Sequence, residues 1–456
     1  MTNKGINVNE LDKTLEKFGE IVKKNLIDQE LYSKYNVKRG LRNSDGTGVL
    51  VGLTEIGEVH SYVIDEGEKV PVEGKLFYRG IEITDLVSGF QKAKRFGFEE
   101  CCYLLIFGNL PTKEQLEDFV HLIGEYRKLQ EGFIEDMILK APSRDIMNKL
   151  ARCVLASYSY DENPEDDSVK NTLRQCIELI ARFPAMAAYA YQAKIRYHDN
   201  GSLYIHDPKP ELSTAENILH MIRLDSQYTQ SEAEILDLAL VLHAEHGGGN
   251  NSTFVTHVVS SSGTDTYSSI AAAIGSLKGP KHGGANLKVI EMMEDIKSHV
   301  KDWEDEKEVE AYLEKILRKE AFDGSGLIYG VGHAVYTLSD PRAILLKEKA
   351  EALAKEKGME KEYKLYTIIE KLAPEVFYNV KKADKVMCAN VDFYSGFVYK
   401  MLNIPLELNT PIFAISRISG WCAHRIEELM NGGRIIRPAY KSVIGRRKYV
   451  PMEERK

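Results

Sequence analysis

The sequence predicts a helical protein with a small β-ribbon near its N-terminus and a smaller helical segment inserted into a larger one. Three observations predict it. Gly-punctuated, β-branched residues fill 47–80, a 3.6-residue apolar period runs from Glu82 onward, and residues 283–390 shift to dense Glu and Lys. With 456 residues, 43% of them apolar, the chain has material for more than one core.

Taken in order, residues 1–45 are charged and weakly helical, and Lys75-Leu-Phe-Tyr-Arg-Gly closes the ribbon segment. Thr112 and Gln115 follow Pro111 as a capping box, and Leu116, Phe119, Val120 and Ile123 continue as an apolar stripe. Ser213 with Glu216, and Ser231 with Glu234, repeat the capping signal. The stripe of Ile235, Leu238, Ala239 and Leu242 is expected to run to His246, where Gly247-Gly248-Gly249 stops it. Residues 266–277 are small and nearly uncharged, the pattern of a buried helix, and Gly279-Pro280 ends it. Residues 301–320 and 345–372 carry Glu and Lys at helical spacing, the pattern of solvated faces. This divides the chain into a large domain of 1–282 and 391–456 and a small domain of 283–390.

Composition excludes some functions. A net charge of −8 disfavours a generic nucleic-acid binder. The six Cys form no Cys-x-x-Cys pair, so neither a zinc ribbon nor a disulfide framework is indicated. The first residues resemble neither a secretory signal nor a transit peptide, and no apolar run is long enough to span a membrane, so a cytoplasmic protein is expected.

The chemistry-bearing residues fall in a few Gly-rich strings. His243-Ala-Glu-His246-Gly-Gly-Gly-Asn250 puts two His at i, i+3 on one helix face, without the spacing of a zinc protease, so no metal is expected. Either His can equally be a hydrogen-bonded core residue. Gly279-Pro-Lys-His282-Gly-Gly-Ala-Asn286 sets His282 in a turn ahead of a helix, where free N–H groups favour a neutral imidazole or an anion; a plain turn His is the simpler alternative. In Gly330-Val-Gly-His333-Ala-Val-Tyr-Thr-Leu-Ser-Asp340-Pro-Arg342, an Arg follows a Pro and suits bidentate carboxylate capture. Asp392 lies among apolar and aromatic residues, where burial raises a carboxyl toward the range of a general base; it can also be a helix N-cap. Arg417 and Arg437 sit in apolar settings and need anionic partners, whether a substrate or an internal acid. Three Arg, several non-metal His and one Asp together suggest an aldol- or Claisen-type condensation on a keto-diacid.

As a set these strings resemble the citrate synthase family. The Gly330–Arg342 string is similar to the family signature, and His243-Ala-Glu-His-Gly-Gly-Gly-Asn, Gly279-Pro-Lys-His-Gly-Gly-Ala-Asn, Asn390-Val-Asp-Phe-Tyr-Ser-Gly and Ser416-Arg417 follow in family order. Phe77-Tyr-Arg-Gly-Ile-Glu-Ile-Thr-Asp-Leu and Tyr103-Leu-Leu-Ile-Phe-Gly-Asn-Leu-Pro111 extend the likeness to about residues 45–445. The resemblance implies an all-α, two-domain citrate-synthase-like fold and a homodimer whose subunits share the active site. It implies condensation of acetyl-CoA with oxaloacetate, then thioester hydrolysis to citrate and CoA, without a cofactor, acetyl-CoA being a substrate. Asp392 would take a methyl proton, His282 would donate to the enolate oxygen, and His333 would polarise the keto group. His246, Arg342 and Arg417 would hold carboxylates, with Arg437 reaching in from the other subunit. Propionyl-CoA, the 2-methylcitrate synthase substrate, is the alternative within the family. A non-catalytic CoA- and dicarboxylate-binding helical protein is the alternative outside it.

Overall fold

The computed structural model describes residues 8–43, 46–66, 68–332, 335–382 and 387–455. The chain divides into two compact units, residues 1–53 and 54–456. The first holds helices α1 (Val8–Lys23) and α2 (Glu30–Lys34).

The second unit opens with an antiparallel ribbon, β1 (Gly57–Asp65) on β2 (Glu68–Tyr78), with β3 (Ile81–Glu82) beside β2. Gly57 pairs with Tyr78 and Asp65 with Glu68, and the register slips between His60 and Tyr62. The ladder therefore starts later than the expected 47. Val51 has strand propensity, but it and its neighbours Leu50 and Leu53 form no strand, and propensity without a pairing partner makes no ladder.

Helices make up the rest. They are α3 (Ile83–Lys92), α4 (Phe98–Phe107), α5 (Lys113–Tyr126), a π turn (Ile134–Leu139), α6 (Ile146–Ser157), α7 (Val169–His198), α8 (Thr214–Ile222) and α9 (Gln230–His243). Then come α10 (Asn251–Ser260), α11 (Thr266–Lys278), α12 (Ala285–His299), α13 (Glu306–Leu317), α14 (Pro341–Lys357), α15 (Glu360–Lys381), α16 (Val391–Met401) and α17 (Asn409–Met430). The all-α expectation holds.

Local chemistry starts several of these helices where expected. Thr112/Gln115 caps α5 and Ser213/Glu216 caps α8, each as a reciprocal box. The third box is Thr229/Glu232 rather than Ser231/Glu234. Arg223 and Lys357 both bind the Glu232 carboxylate, at 2.7 and 2.6 Å, and hold it where Thr229 N–H can donate to it. The helix consequently begins at Gln230. Its other end is also earlier than expected: α9 stops at His243, and His246 lies beyond it. The reason is Tyr78 on β2. Its buried hydroxyl donates to Val241 O (3.0 Å) and accepts from Glu245 N–H (3.2 Å), capturing groups that another helical turn would use.

The core is built on α7 and α17, long helices buried over most of their residues and packed on each other. As expected, α11 is buried, lying against α6 and α10. α13 and α15 turn Val309, Leu313, Leu365 and Ile369 inward and keep most of their Glu and Lys outside, Glu362 being buried. α12, α14 and α9 all pack on α16, whose first turn carries Asp392.

The loop before α14 is tied to the loop before α16. Val331 and Ala389 form a bridge, Gly332 N–H donates to Cys388 O (2.7 Å) and Asn390 N–H to Gly330 O (2.9 Å). Gly330 has φ +78°, and a Cβ there would lie 2.8 Å from both Phe393 and Val289 side chains. Gly330→Ala is therefore expected to cost about 2–3 kcal/mol through overpacking and a forbidden backbone angle, seen as a lower midpoint in urea unfolding.

Candidate active site

Asp340 organises the centre of the site. It caps α14, accepting from Arg342 N–H (3.0 Å), and Pro341 occupies the first helical position. Its carboxylate also grips the Arg342 side chain through Nε (3.0 Å) and Nη2 (2.8 Å) and accepts from Val391 N–H (3.2 Å). The pair is almost fully buried, at 4% and 0% side-chain exposure. Burial disfavours the Arg342 charge, but the Asp340 carboxylate outweighs it and raises the guanidinium's pKa. Nη1 is not used by this pair, and Tyr336 lies under the guanidinium at 5.5 Å.

Asp392 is not a helix cap. Asn390 caps α16 by accepting from Asp392 N–H (3.0 Å), while its own amide donates to Gly332 O (2.9 Å). The Asp392 carboxyl is left for other work. Residue 392 keeps part of its surface accessible, yet protein surrounds the carboxyl. Burial raises its pKa to about 6; the Arg342 charge opposes the rise, Asp340 adds to it, and Arg417 opposes it again.

Arg417 is fully buried on α17. Its Nε donates to His243 O (2.7 Å) and its guanidinium stacks over Phe413 at 4.7 Å. Burial pushes its pKa down to about 10, which keeps it charged at neutral pH. Arg417 Nη1 and His243 Nδ1 are buried polar atoms with no hydrogen-bond partner among the described residues. Such atoms are costly unless something answers them, and a ligand oxygen would. Burial and the charges of Arg342 and Arg417 hold His243 neutral. His246 is buried edge-on to Tyr336 at 5.6 Å.

His282 occupies the turn between α11 and α12, as expected. Its Nε2 lies 3.0 Å from Ser252 Oγ, and that oxygen accepts from the Trp421 indole N–H (3.1 Å). Burial, then the Arg417 charge, depress its pKa to about 4, so the ring is neutral at physiological pH. Asn286, the second residue of α12, donates to Ser395 Oγ (2.5 Å) and accepts from Asn409 (2.9 Å), joining α12, α16 and α17 behind the turn.

Asp392, His243, His282, Arg342 and Arg417 are thus linked through each other's fields, with Arg417 common to the set. Arg437 stands elsewhere, exposed on the extended segment after α17. His333 lies outside the described residues. Sequence reasoning singled out Arg342 but overlooked Asp340, although Asp-Pro before a helix is a legible cap signal. Ser252 and Trp421 carried no local signal. His257, His424 and Glu427 bring donor atoms within 4.8 Å of one another. The facing nitrogens of the two rings are 3.0 Å apart, however, the geometry of a hydrogen bond between them.

The family model described as "Citrate synthase, C-terminal domain" matches residues 44–439. A citrate synthase of Synechocystis sp. is 36% identical over 84% of this chain and 89% of its own length. A 2-methylcitrate synthase of Shewanella oneidensis is 32% identical over 83% of this chain and 92% of its own. Among solved structures, the ternary complex of carboxymethyl coenzyme A and oxaloacetate with citrate synthase from Thermoplasma acidophilum superposes with a TM-score of 0.73 at 28% identity. That alignment covers 92% of this chain and 99% of the other.

Asp340→Asn breaks a buried ion pair and leaves Arg342 without its counter-charge. The expected loss is about 3–5 kcal/mol of folding stability, measured by guanidinium unfolding.

Proposed function

The chain belongs to the citrate synthase family, an enzyme of the acyl-transferring condensation of acetyl-CoA with oxaloacetate, and from this premise we propose how its residues divide the work. Asp392 removes a methyl proton from the thioester. The carrying observation is that this carboxyl sits at the head of α16 within the fields of Arg342 and Arg417, with burial moving its pKa to about 6. A base poised there is ionised at neutral pH and still basic enough to accept a proton from carbon.

The neutral His282 ring donates a hydrogen bond to the developing enolate oxygen. A neutral donor matches an enol better than an imidazolium, which would deliver its proton outright. Ser252 accepts from Trp421, and its hydroxyl hydrogen can go to Asn250 Oδ1 (2.9 Å) or to His282 Nε2 (3.0 Å). The role assigned to His282 requires the second orientation, which places the ring hydrogen on Nδ1.

His246, Arg342 and Arg417 hold the oxaloacetate carboxylates, His333 polarises the keto carbonyl, and Arg437 contributes from a second subunit of a homodimer. Arg417 Nη1, which no described residue answers, and Arg342 Nη1, which the Asp340 pair does not use, are the donors for this task. The enolate carbon attacks the polarised keto carbon to form citryl-CoA, and water then cleaves the thioester to citrate and CoA. Residues 283–390 act as the smaller domain, closing to keep water out until the carbon–carbon bond exists. Likeness to a 2-methylcitrate synthase supports propionyl-CoA as a second acyl donor.

Thiol release with oxaloacetate and either acetyl-CoA or propionyl-CoA tests this reading. The wild type should release CoA faster with acetyl-CoA, and Asp392→Ala should be slower by about 10²–10⁴-fold. Wild type that releases no thiol with either donor would overturn the catalytic reading; faster release with propionyl-CoA would transfer it to 2-methylcitrate.

The raised Asp392 pKa carries two more consequences. On the acid side, kcat/KM should fall as pH drops through about 6, where the base is protonated. For folding, the carboxyl moves from 3.8 unfolded to about 6 folded, so the fold favours the neutral form. That preference stabilises fully below the unfolded value and is lost as pH rises through about 6. Asp392→Asn, neutral at every pH, is therefore expected to be inactive yet to melt higher than wild type at pH 7.5 by scanning calorimetry.

A further inference from the structure

Behind the site, four side chains form a line. Glu428 Oε2 lies 2.8 Å from His257 Nδ1, His257 Nε2 lies 3.0 Å from His424 Nδ1, and His424 Nε2 lies 3.2 Å from Glu245 Oε1. His424 and Glu245 are both fully buried. The first two gaps are hydrogen bonds, and the third is an ion-pair distance without hydrogen-bond alignment. Two neutral imidazoles supply the two hydrogens of those bonds and leave the His424 Nε2 lone pair turned toward the buried Glu245 carboxylate, a repulsion that one more proton removes.

The Glu245 carboxylate is enclosed by the backbone as well. A Cβ at Gly420 would meet its Oε2 at 2.4 Å, and one at Gly57 would meet its Cγ at 2.7 Å. Gly420 stands one helical turn after Arg417 on α17, so the carboxylate lies beside the stem of the guanidinium assigned to substrate. Left uncompensated, it would compete for that guanidinium.

We propose that the His257–His424 pair holds one proton more than two neutral rings carry, and that this buried imidazolium occupies Glu245 so that Arg417 is left for the substrate carboxylate. The second half rests on the role given to Arg417 above. His424 is then a positioning residue: its Nδ1–H donates to His257, its Nε2–H faces Glu245, and the His257 Nδ1–H donates to Glu428.

The charged surroundings fit. Glu427 lies 3.7 Å from His424 Nδ1 on the same helix and accepts from Glu55 N–H. Arg79 and Tyr78 from the ribbon side, Cys101 on α4 and Arg417 on α17 are among the groups whose fields reach Glu245 or Glu427. Burial acts to lower the His424 pKa, but Glu245 outweighs it and lifts the value to about 9. Burial acts to raise the Glu245 carboxyl, and His424 outweighs that in turn, leaving it lowered.

Two measurements test the proposal. The first needs no activity: nitrogen-15 histidine NMR of the whole protein at pH 8. Of the twelve His, one should have both ring nitrogens protonated, and its signal should vanish in His424→Gln, or in His257→Gln if the former does not fold. Two neutral rings at His257 and His424 would overturn the proposal whatever the enzyme's substrates. The second is a KM split. His424→Gln should raise the KM for oxaloacetate at least tenfold and leave that for acetyl-CoA within twofold, and Glu245→Gln/His424→Gln should restore the oxaloacetate KM to within threefold. A double variant as impaired as the single one would show that His424 acts by packing, and would overturn the link to Arg417. Absence of turnover in the wild type would sink the functional reading and leave the proton count standing on the NMR result.

Discussion

A single carboxylate, Asp340, serves three structures at once. It begins α14, neutralises Arg342 and receives the first N–H of α16. A buried ion pair of this kind gives little net stability over an apolar substitute, because desolvation offsets the Coulomb attraction. Its value here is positional. The same oxygens that satisfy Arg342 place the head of α16 against it, so Asp392 and Arg342 share one anchor. Weakening that anchor would disturb the orientation of a guanidinium and the basicity of a carboxyl together.

The site is also a balance of like charges. Arg342 and Arg417 each disfavour the other, and both depress the buried His nearby. In an empty pocket this is unfavourable electrostatics. With a doubly charged acid bound, the same arrangement becomes complementary, because the ligand supplies the anions that the fold withholds. His282 stays neutral partly because Arg417 is near, so binding and proton chemistry draw on the same charge.

How far the sequence disclosed all this depends on distance along the chain. The boxes at Thr112 and Ser213 are complete within four residues, and local chemistry was enough to see them. Near residue 230 two boxes overlap, and the choice fell to Arg223 and Lys357, the latter more than a hundred residues away. His246 was expected on a helix that Tyr78 ends from the ribbon, a contact with no trace near residue 246. Asp392 and Asn390 are both good cap residues at neighbouring positions; Asn390 takes that role while its amide answers Gly332, 58 residues back. The Gly-rich strings marked where the chemistry is. What the His, Asp and Arg in them touch was set by partners that only folding brings near.

The junction between the two loops has an evolutionary corollary. It is made by peptide groups of residues 330–332 and 388–390, with one side-chain amide added. Peptide groups are the same in every residue except proline. Val331 and Cys388, both only partly buried, can therefore drift in size and polarity over generations without breaking a bond of the junction. Heritable variation can accumulate beside Asp392 while the frame that aims its carboxyl persists.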